Sequence, residues 1–363
     1  MKTAAALTLA LLLSVFLVVT TVTAQQNVPQ IPFDSNTDFL KFPDDIHLGE
    51  AAGVAVNSKG HVFVFSRGST TGPAFGAAAA QVLEFDQNGK YVREVGKGLY
   101  AWSYAHTVRV DKNDNLWAID KGSDMVVRFN PQGRVNMVFG RKKEASDEAE
   151  PWTRVTPPRP AVDGQFRQPT DVTWDPQGNI FISDGYINAR VAKYDANGDW
   201  VKSFGEPGTA PGQLNTPHSI ASDKDGNIYV ADRGNRRIQV FSNDGALKKV
   251  ITIDVPAPAD AKPWFGNQPS EAAGKAQSGA PWAICITPPN ASGAQYLYSS
   301  DAFPGRIYKL KLDGTVVGMF GKSGRQPKQF GWIHEMACPS ENELYVAEIL
   351  NWRVQKLTLK PGR

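Results

Sequence analysis

The feature that most constrains the fold is an internal repeat. One segment recurs six times as a short alternating strand, a turn rich in Asp, Asn and Gly, and a denser apolar strand. The copies lie 54, 64, 48, 64 and 52 residues apart and begin at Ala52, His106, Thr170, His218, Trp282 and His334. Period-2 alternation broken by such turns is the signal for β-hairpins, and no stretch after the N-terminal segment has a sustained helical period. The sequence therefore predicts an all-β fold.

Two further strands complete each copy, and several copies close in Phe-Gly, as at Phe139-Gly140 and Phe204-Gly205. Four-stranded antiparallel units repeated around an axis form a β-propeller, so six copies predict six blades. The last copy ends after its third strand, at residues 354–359. We expect residues 33–42, which precede the first complete copy, to supply the missing outer strand and close the ring.

The N-terminus has the form of a secretion signal. Lys2 precedes an apolar stretch over residues 4–22, and Val22-Thr23-Ala24 forms a small-residue cleavage site. This pattern predicts a signal peptide over residues 1–24 and a propeller over residues 25–363, secreted or periplasmic. The apolar stretch is nearly long enough to span a bilayer, so an uncleaved anchor is the alternative. After cleavage no stable membrane insertion is expected.

Charge and insertions limit the choice of partners. The chain has 39 basic and 36 acidic residues, a balance that favours neither nucleic acid nor an anionic membrane as the main partner. Residues 141–165 are charged and rich in proline, and residues 254–280 are rich in Ala, Pro and Gly. Both are predicted to be surface loops beside one mouth of the channel.

The chain has only two cysteines, Cys285 and Cys338, so it is not a disulfide scaffold. They lie one residue apart in repeat register, which would point them to opposite faces of their strands. An oxidising compartment would permit a bond between them, but the register does not favour one.

Three of the five histidines occupy the same position in alternate copies: His106, His218 and His334. If the copies surround an axis, these imidazoles converge on it from three directions. Three neutral imidazoles with a fourth position left open are the ligand set of a catalytic zinc site. His47 and His61 fall outside this register and are expected to have no part in it.

The ends of the second strands are expected at the same mouth as the histidines. They bring Arg67, Tyr186 and Arg233 there. A tyrosine near a dication can serve as a base, and an arginine binds a carboxylate through two hydrogen bonds. The arginines at another repeat position are expected to be structural: Arg190, Arg237, Arg306 and Arg353.

The repeat resembles the NHL family of propellers in segments such as Asn188-Ala189-Arg190-Val191 and Asn235-Arg236-Arg237-Ile238-Gln239. Such propellers carry many unrelated functions. The segments around the three histidines, Arg67 and Tyr186 carry a second resemblance: the chain is similar to the peptidyl-α-hydroxyglycine α-amidating lyases. That resemblance implies a six-bladed propeller that cleaves the N–Cα bond of a peptide ending in α-hydroxyglycine, releasing a peptide amide and glyoxylate.

Carried over by position, the resemblance puts zinc on the three histidines. It makes Tyr186 the base and Arg67 and Arg233 the charged partners of the tyrosine and the substrate. It also implies a structural calcium bound by the backbone carbonyls of Val54 and Val108 and by the carboxylate of Glu335. The chain departs from the family at Trp332, where the family has Met, at Ile187, where it has Cys, and at Glu335, where it has Asp.

Two other functions fit the same fold. A calcium-dependent lactonase-like enzyme would line its channel with Glu, Asn and Asp, and would leave the three histidines unexplained. An NHL propeller acting as a binding module would have a polar, metal-free channel and a binding surface at one mouth. Metal content separates the binding module from both enzymes.

Overall fold

The computed structural model describes residues 27–68, 80–142, 155–262 and 277–360. Within these ranges the chain forms six four-stranded antiparallel sheets. The first strand of each sheet contacts the first strand of the next sheet, and the last sheet contacts the first, which closes a ring. The predicted six-bladed propeller is therefore confirmed.

The first three blades follow chain order from the channel outwards. Blade 1 contains β2 (Glu50–Val56), β3 (Val62–Arg67), β4 (Ala80–Phe85) and β5 (Tyr91–Val95). Blade 2 contains β6 (Ala105–Val110), β7 (Leu116–Asp120), β8 (Met125–Phe129) and β9 (Val135–Phe139). Blade 3 contains β10 (Asp171–Trp174), β11 (Ile180–Asp184), β12 (Arg190–Tyr194) and β13 (Trp200–Phe204).

The remaining blades repeat this order, and the last one joins both ends of the chain. Blade 4 contains β14 (Pro217–Ser222), β15 (Ile228–Asp232), β16 (Arg237–Phe241) and β17 (Leu247–Ile251), with a 3₁₀ turn at Arg233–Asn235. Blade 5 contains β18 (Ala283–Ile286), β19 (Tyr296–Ser300), β20 (Ile307–Lys311) and β21 (Val316–Phe320). Blade 6 contains β22 (Ile333–Ser340), β23 (Glu343–Glu348), β24 (Arg353–Leu359) and β1 (Phe33–Asn36).

The N-terminal strand closes the ring as predicted, over a shorter span than residues 33–42. β1 pairs antiparallel with β24, with Phe33 opposite Leu359 and Asn36 opposite Lys356. The Phe33 ring also lies 4.8 Å from the ring of Phe320 in blade 5. The closing strand is therefore held by main-chain pairing within blade 6 and by aromatic packing against its neighbour.

The repeat arginines have the structural role that the sequence suggested. Arg190, Arg237 and Arg353 follow the turn after the second strand of their blades and return to the acid that ends that strand, whereas Arg306 donates to the carbonyl oxygen of Pro256 at 2.9 Å. Arg190 Nε lies 3.2 Å from Asp184, Arg237 Nε 2.7 Å from Asp232, and Arg353 Nε 2.8 Å from Glu348. These acids are fully buried, so the arginine neutralises a charge that would be costly alone.

Cys285 and Cys338 pair, although their repeat register did not favour a bond. They form a disulfide with Cα atoms 6.1 Å apart, between the inner strands of blades 5 and 6. Adjacent blades pack face to face, so a residue on one face of a blade meets the opposite face of the next. Opposite orientation therefore brings the two sulfurs together, because the alternation of faces along a strand separates residues within one sheet but not between neighbouring blades.

Several sequence predictions fall on residues 1–26, 143–154 and 263–276, which lie outside the described ranges. The predicted signal peptide lies wholly there, and so does much of both predicted surface loops. Among the described residues, no helix has the length and apolar character needed to cross a membrane.

Candidate metal centre

Each of the three repeat histidines is the second residue of the inner strand of its blade, which is β6, β14 or β22. In each of these strands the pairing register with the next strand shifts at the histidine. A bulge leaves one residue outside the ladder and redirects its side chain. Here it frees His106, His218 and His334 from the sheet and directs them towards the channel.

The three imidazoles are held by the blades that carry no histidine. His106 Nδ1 lies 2.6 Å from the carbonyl oxygen of Thr170, and His218 Nδ1 lies 2.6 Å from that of Trp282. His334 Nδ1 lies 2.7 Å from the carbonyl oxygen of Ala52. A carbonyl only accepts hydrogen bonds, so each Nδ1 carries the proton and each Nε2 keeps its lone pair. The acceptors stand at the repeat position that the histidines occupy in the other three blades.

The cluster fits a metal ion. The ligand nitrogens of the three histidines lie within 4.8 Å of one another, and all three side chains are buried. His218 Nε2 is a buried nitrogen with no hydrogen-bond partner among the described residues. Burial lowers the pKa of each imidazole well below its usual value, and neighbouring positive charges add to this effect. Neutral imidazoles with an orphaned lone pair are the form that coordinates metal.

Tyr186 lies directly beside this cluster. Its hydroxyl oxygen is 3.3 Å from His106 Nε2, and its ring contacts His106 and His218 edge-on. Burial acts to raise the pKa of the phenol. The positive charges of Lys121, Arg233 and Arg67, with a hydrogen bond from Arg233, outweigh burial and lower that pKa to about 8. The hydroxyl therefore ionises more readily than an ordinary tyrosine does.

The two predicted arginines reach the same mouth with different partners. Arg67 donates to the carbonyl oxygen of Ala105 at 3.0 Å, pairs with Glu50 at 2.5 Å, and stacks over the ring of Tyr104. Arg233 is almost fully buried, and its Nε has no hydrogen-bond partner among the described residues. Its guanidinium lies 4.2 Å from the ring of Trp282. The side chain of Arg67 is therefore already bound by neighbouring protein groups, whereas Arg233 retains an unpartnered N–H donor at Nε.

Lys121 belongs to the same group, and sequence reasoning missed it. Its Nζ lies 3.7 Å from the centre of the Tyr186 ring. The signal was present, because Lys121 follows the end of its second strand as Arg233 does, and Arg67 ends the corresponding strand. Three blades thus place a basic residue at one repeat position beside the histidines.

Two tryptophans form an aromatic wall on one side. The rings of Trp282 and Trp332 lie 4.7 Å apart, and Trp282 lies 5.3 Å from the ring of His218. Ala302 and Phe303 pack behind them. The site is therefore cationic on the Tyr186 side and apolar on this side.

Glu335, expected to hold calcium together with the carbonyls of Val54 and Val108, has N–H groups and a guanidinium as its neighbours. The carboxylate of Glu335 is surrounded by N–H groups: Oε2 accepts from Val108 at 3.1 Å, and the backbone N–H of Val54 also donates to the carboxylate. Its other oxygen, Oε1, lies 2.8 Å from Arg109 Nε but has no hydrogen-bond partner among the described residues. Calcium requires six to eight oxygen ligands, so a carboxylate beside a fixed guanidinium is a poor site for it.

Comparisons with known proteins agree with this architecture. The family model described as the NHL repeat matches residues 214–241. Among solved structures, a gluconolactonase from Xanthomonas campestris superimposes with a TM-score of 0.58 at 15% identity, covering 93% of this chain and 97% of that one. A virginiamycin B lyase from Staphylococcus aureus gives 0.53 at 14% identity, covering 91% and 100%. At these identities the likeness concerns the fold alone. The chain is an NHL-repeat six-bladed β-propeller with a buried three-histidine cluster.

Its sequence relatives indicate a group of β-propellers to which the chain is similar. The peptidylglycine α-amidating monooxygenase of Rattus norvegicus is 28% identical over 219 residues, which cover 54% of this chain and 21% of that protein. The probable peptidyl-α-hydroxyglycine α-amidating lyase of Caenorhabditis elegans is 28% identical, covering 54% and 56%. A lyase of the same name from Drosophila melanogaster is 24% identical, covering 86% and 58%. The propeller is therefore homologous to the amidating lyases, although the match spans less than two thirds of each relative.

Proposed function

We propose that this propeller is an extracytoplasmic, zinc-dependent carbon–nitrogen lyase acting on peptides that end in α-hydroxyglycine. The observation that carries the proposal is the contact between Tyr186 and a cluster of three neutral, buried imidazoles in a chain homologous to the amidating lyases. The disulfide between Cys285 and Cys338 supports an oxidising compartment.

The metal would be held by the Nε2 atoms of His106, His218 and His334. Bound there, zinc would act as a Lewis acid on the substrate's hydroxyl oxygen. The carbonyl groups that hold each Nδ1 fix the ring orientation and raise the basicity of the ligand, as outer partners of metal-bound histidines commonly do.

Tyr186 would be the base. Its phenolate would accept the proton of the α-hydroxyl group as the C=O bond of glyoxylate forms. The N–Cα bond breaks in the same process, and the electron pair leaves with the peptide nitrogen, which takes up a proton to give the amide. Lys121 and Arg233 favour the phenolate at neutral pH because both place positive charge against the ring or hydroxyl.

Arg233 would bind the carboxylate of the substrate. It has an unpartnered buried Nε, and its hydrogen bond to Tyr186 places it beside the reacting proton. Arg67 would act mainly through its charge, because Glu50 and Ala105 already engage its side chain. Trp282 and Trp332 would contact the apolar part of the peptide.

The test combines metal analysis with an assay for glyoxylate released from a short peptide ending in α-hydroxyglycine. We expect one zinc per chain and turnover in the native protein, loss of both in His218→Ala, and retained zinc with most of the rate lost in Tyr186→Phe. His61→Ala is the matched control, because His61 pairs with Glu84 away from the cluster. Zinc without glyoxylate release would remove this substrate from the proposal. A metal-free native protein would refute it altogether.

A further inference from the structure

Arg109 crosses the channel deeper than the histidines, and the reaction proposed above gives it no task. It stands three residues after His106 on the inner strand β6, and its side chain is only 14% exposed. Its Nε and Nη2 donate to the two carboxylate oxygens of Asp171 at 2.9 and 2.6 Å, which is a bidentate pair with the next blade.

The rest of the guanidinium reaches the other side of the ring. Nη1 donates to the carbonyl oxygen of Met336 at 3.1 Å. Nη2 also lies 3.2 Å from Ser219 Oγ and 3.3 Å from the carbonyl oxygen of Ile284. With Glu335 at 2.8 Å from Nε, this one side chain contacts blades 3, 4, 5 and 6 from its position on blade 2.

Blade 1 joins the same network through Glu335. The carboxylate accepts from the backbone of Val54 in blade 1 and of Val108 in blade 2. Gly53 permits this close approach, because a Cβ there would lie 2.7 Å from the backbone nitrogen of Val108 and 3.1 Å from Glu335 Oε2. The cation and the two acids therefore link all six blades at the axis.

The charge of this cluster also requires an internal cation. Asp171 is 1% exposed and pairs with Arg109 through both oxygens, and a carboxylate so deeply buried needs a positive partner. Burial disfavours the charged form of Arg109, but the two carboxylates outweigh this effect and raise its pKa. The guanidinium is therefore always charged and cannot leave as a bound ion can.

The atoms around the guanidinium are those that a hard dication would use. Asp171 offers two carboxylate oxygens, Glu335 Oε1 and Ser219 Oγ offer one each, and two backbone carbonyls complete the set. Six oxygens with two carboxylates form a ligand set of the kind that binds calcium. In this chain a side chain occupies the centre of that set.

We propose that the guanidinium of Arg109 takes the place of a structural divalent cation in the channel. The native chain therefore needs no calcium, and shortening residue 109 creates a calcium site. The proposal concerns the scaffold and does not depend on the identity of the reaction.

The test uses the full chain, loaded with zinc and dialysed into calcium-free buffer. Bound calcium is measured by elemental analysis, and Tm and calorimetric titration are recorded with and without CaCl2. We expect the native protein to hold far less than one equivalent of calcium and to keep its Tm when CaCl2 is added. Arg109→Ala should melt at a lower temperature without calcium, bind one equivalent, and recover several degrees of Tm on binding.

Two further variants separate this effect from nonspecific binding. Arg109→Ala combined with Glu335→Gln should lose most of the calcium response, because one charged ligand is gone. Arg109→Lys should remain insensitive to calcium, since an ammonium group still fills the site. Zinc content, measured in parallel, should remain at the native level in Arg109→Lys.

Calcium at one equivalent in the native protein, or a rise of its Tm on adding CaCl2, would overturn the proposal. So would a folded Arg109→Ala variant that neither loses stability nor responds to calcium. If Arg109→Ala does not fold in either condition, the measurements on the native protein and on Arg109→Lys still decide the question.

Discussion

Removing the disulfide between Cys285 and Cys338 should cost much of the stability of the ring. The bond closes a loop with a sequence separation of 53 residues. In the chain-entropy description, cross-linking a loop of that length removes about 14 cal/mol/K from the unfolded chain, or about 4 kcal/mol at 25 °C. Because domains are stable by only about 5–15 kcal/mol, a loss of this size should move the unfolding midpoint clearly.

The assay is guanidinium chloride unfolding followed by tryptophan fluorescence, for oxidised and reduced native protein and for the double variant Cys285→Ala/Cys338→Ala. Reduced native protein keeps both sulfur atoms, so it isolates the cross-link from the loss of packing at two buried side chains. The double variant should unfold at or slightly below the denaturant concentration found for reduced protein. Equal midpoints for oxidised and reduced native protein would show that the bond does not restrict the unfolded chain, and the loop argument would fail.

Three other perturbations test separate parts of the molecule. Burial raises the pKa of Asp301 to about 6, so the folded state binds a proton more tightly than the unfolded state. The contribution of Asp301 to stability should therefore be fully present below about pH 4 and fall by up to about 3 kcal/mol as the pH rises through about 6, a slope in denaturation midpoints that Asp301→Asn should lack. Lys121→Met should raise the pKa of Tyr186 and therefore shift the pH–rate profile of glyoxylate release to higher pH, whereas Lys121→Arg should retain the native profile. Phe33→Ala should lower the free energy of unfolding by about 2 kcal/mol, since the ring is only half-buried against Phe320 and full burial is worth about 3–5 kcal/mol; an unchanged midpoint would show that main-chain pairing alone closes the ring.

The sequence was most informative where one residue type recurs at one repeat position. Six copies of the repeat predicted six blades, and the missing outer strand of the last copy predicted that β1 would pair with β24. Alternate histidines predicted a convergence that the ring geometry produces. These inferences succeed because the repeat fixes both the strand order and the direction of each inner strand.

Contacts between blades could not be read in the same way. The register of Cys285 and Cys338 describes faces within a blade, while their bond depends on how two blades pack. Lys121 shares its repeat position with residues that were singled out, but its contact with Tyr186 crosses from one blade to the next. Arg109 belongs to no recurring pattern, and only the folded ring brings its five neighbouring groups to one point.

The carbonyl groups that hold the histidines explain why the repeat alternates. At the shared position, three blades use a side chain, and the other three use only a backbone oxygen. Any residue can supply that oxygen, so the side chains of Ala52, Thr170 and Trp282 can differ without changing the cluster. Trp282 lies beside His218 and Trp332, while Thr170 donates its hydroxyl proton to the carbonyl of Pro217. The six-fold ring therefore provides three positions for the clustered histidines and leaves three in which side chains can shape the surrounding pocket.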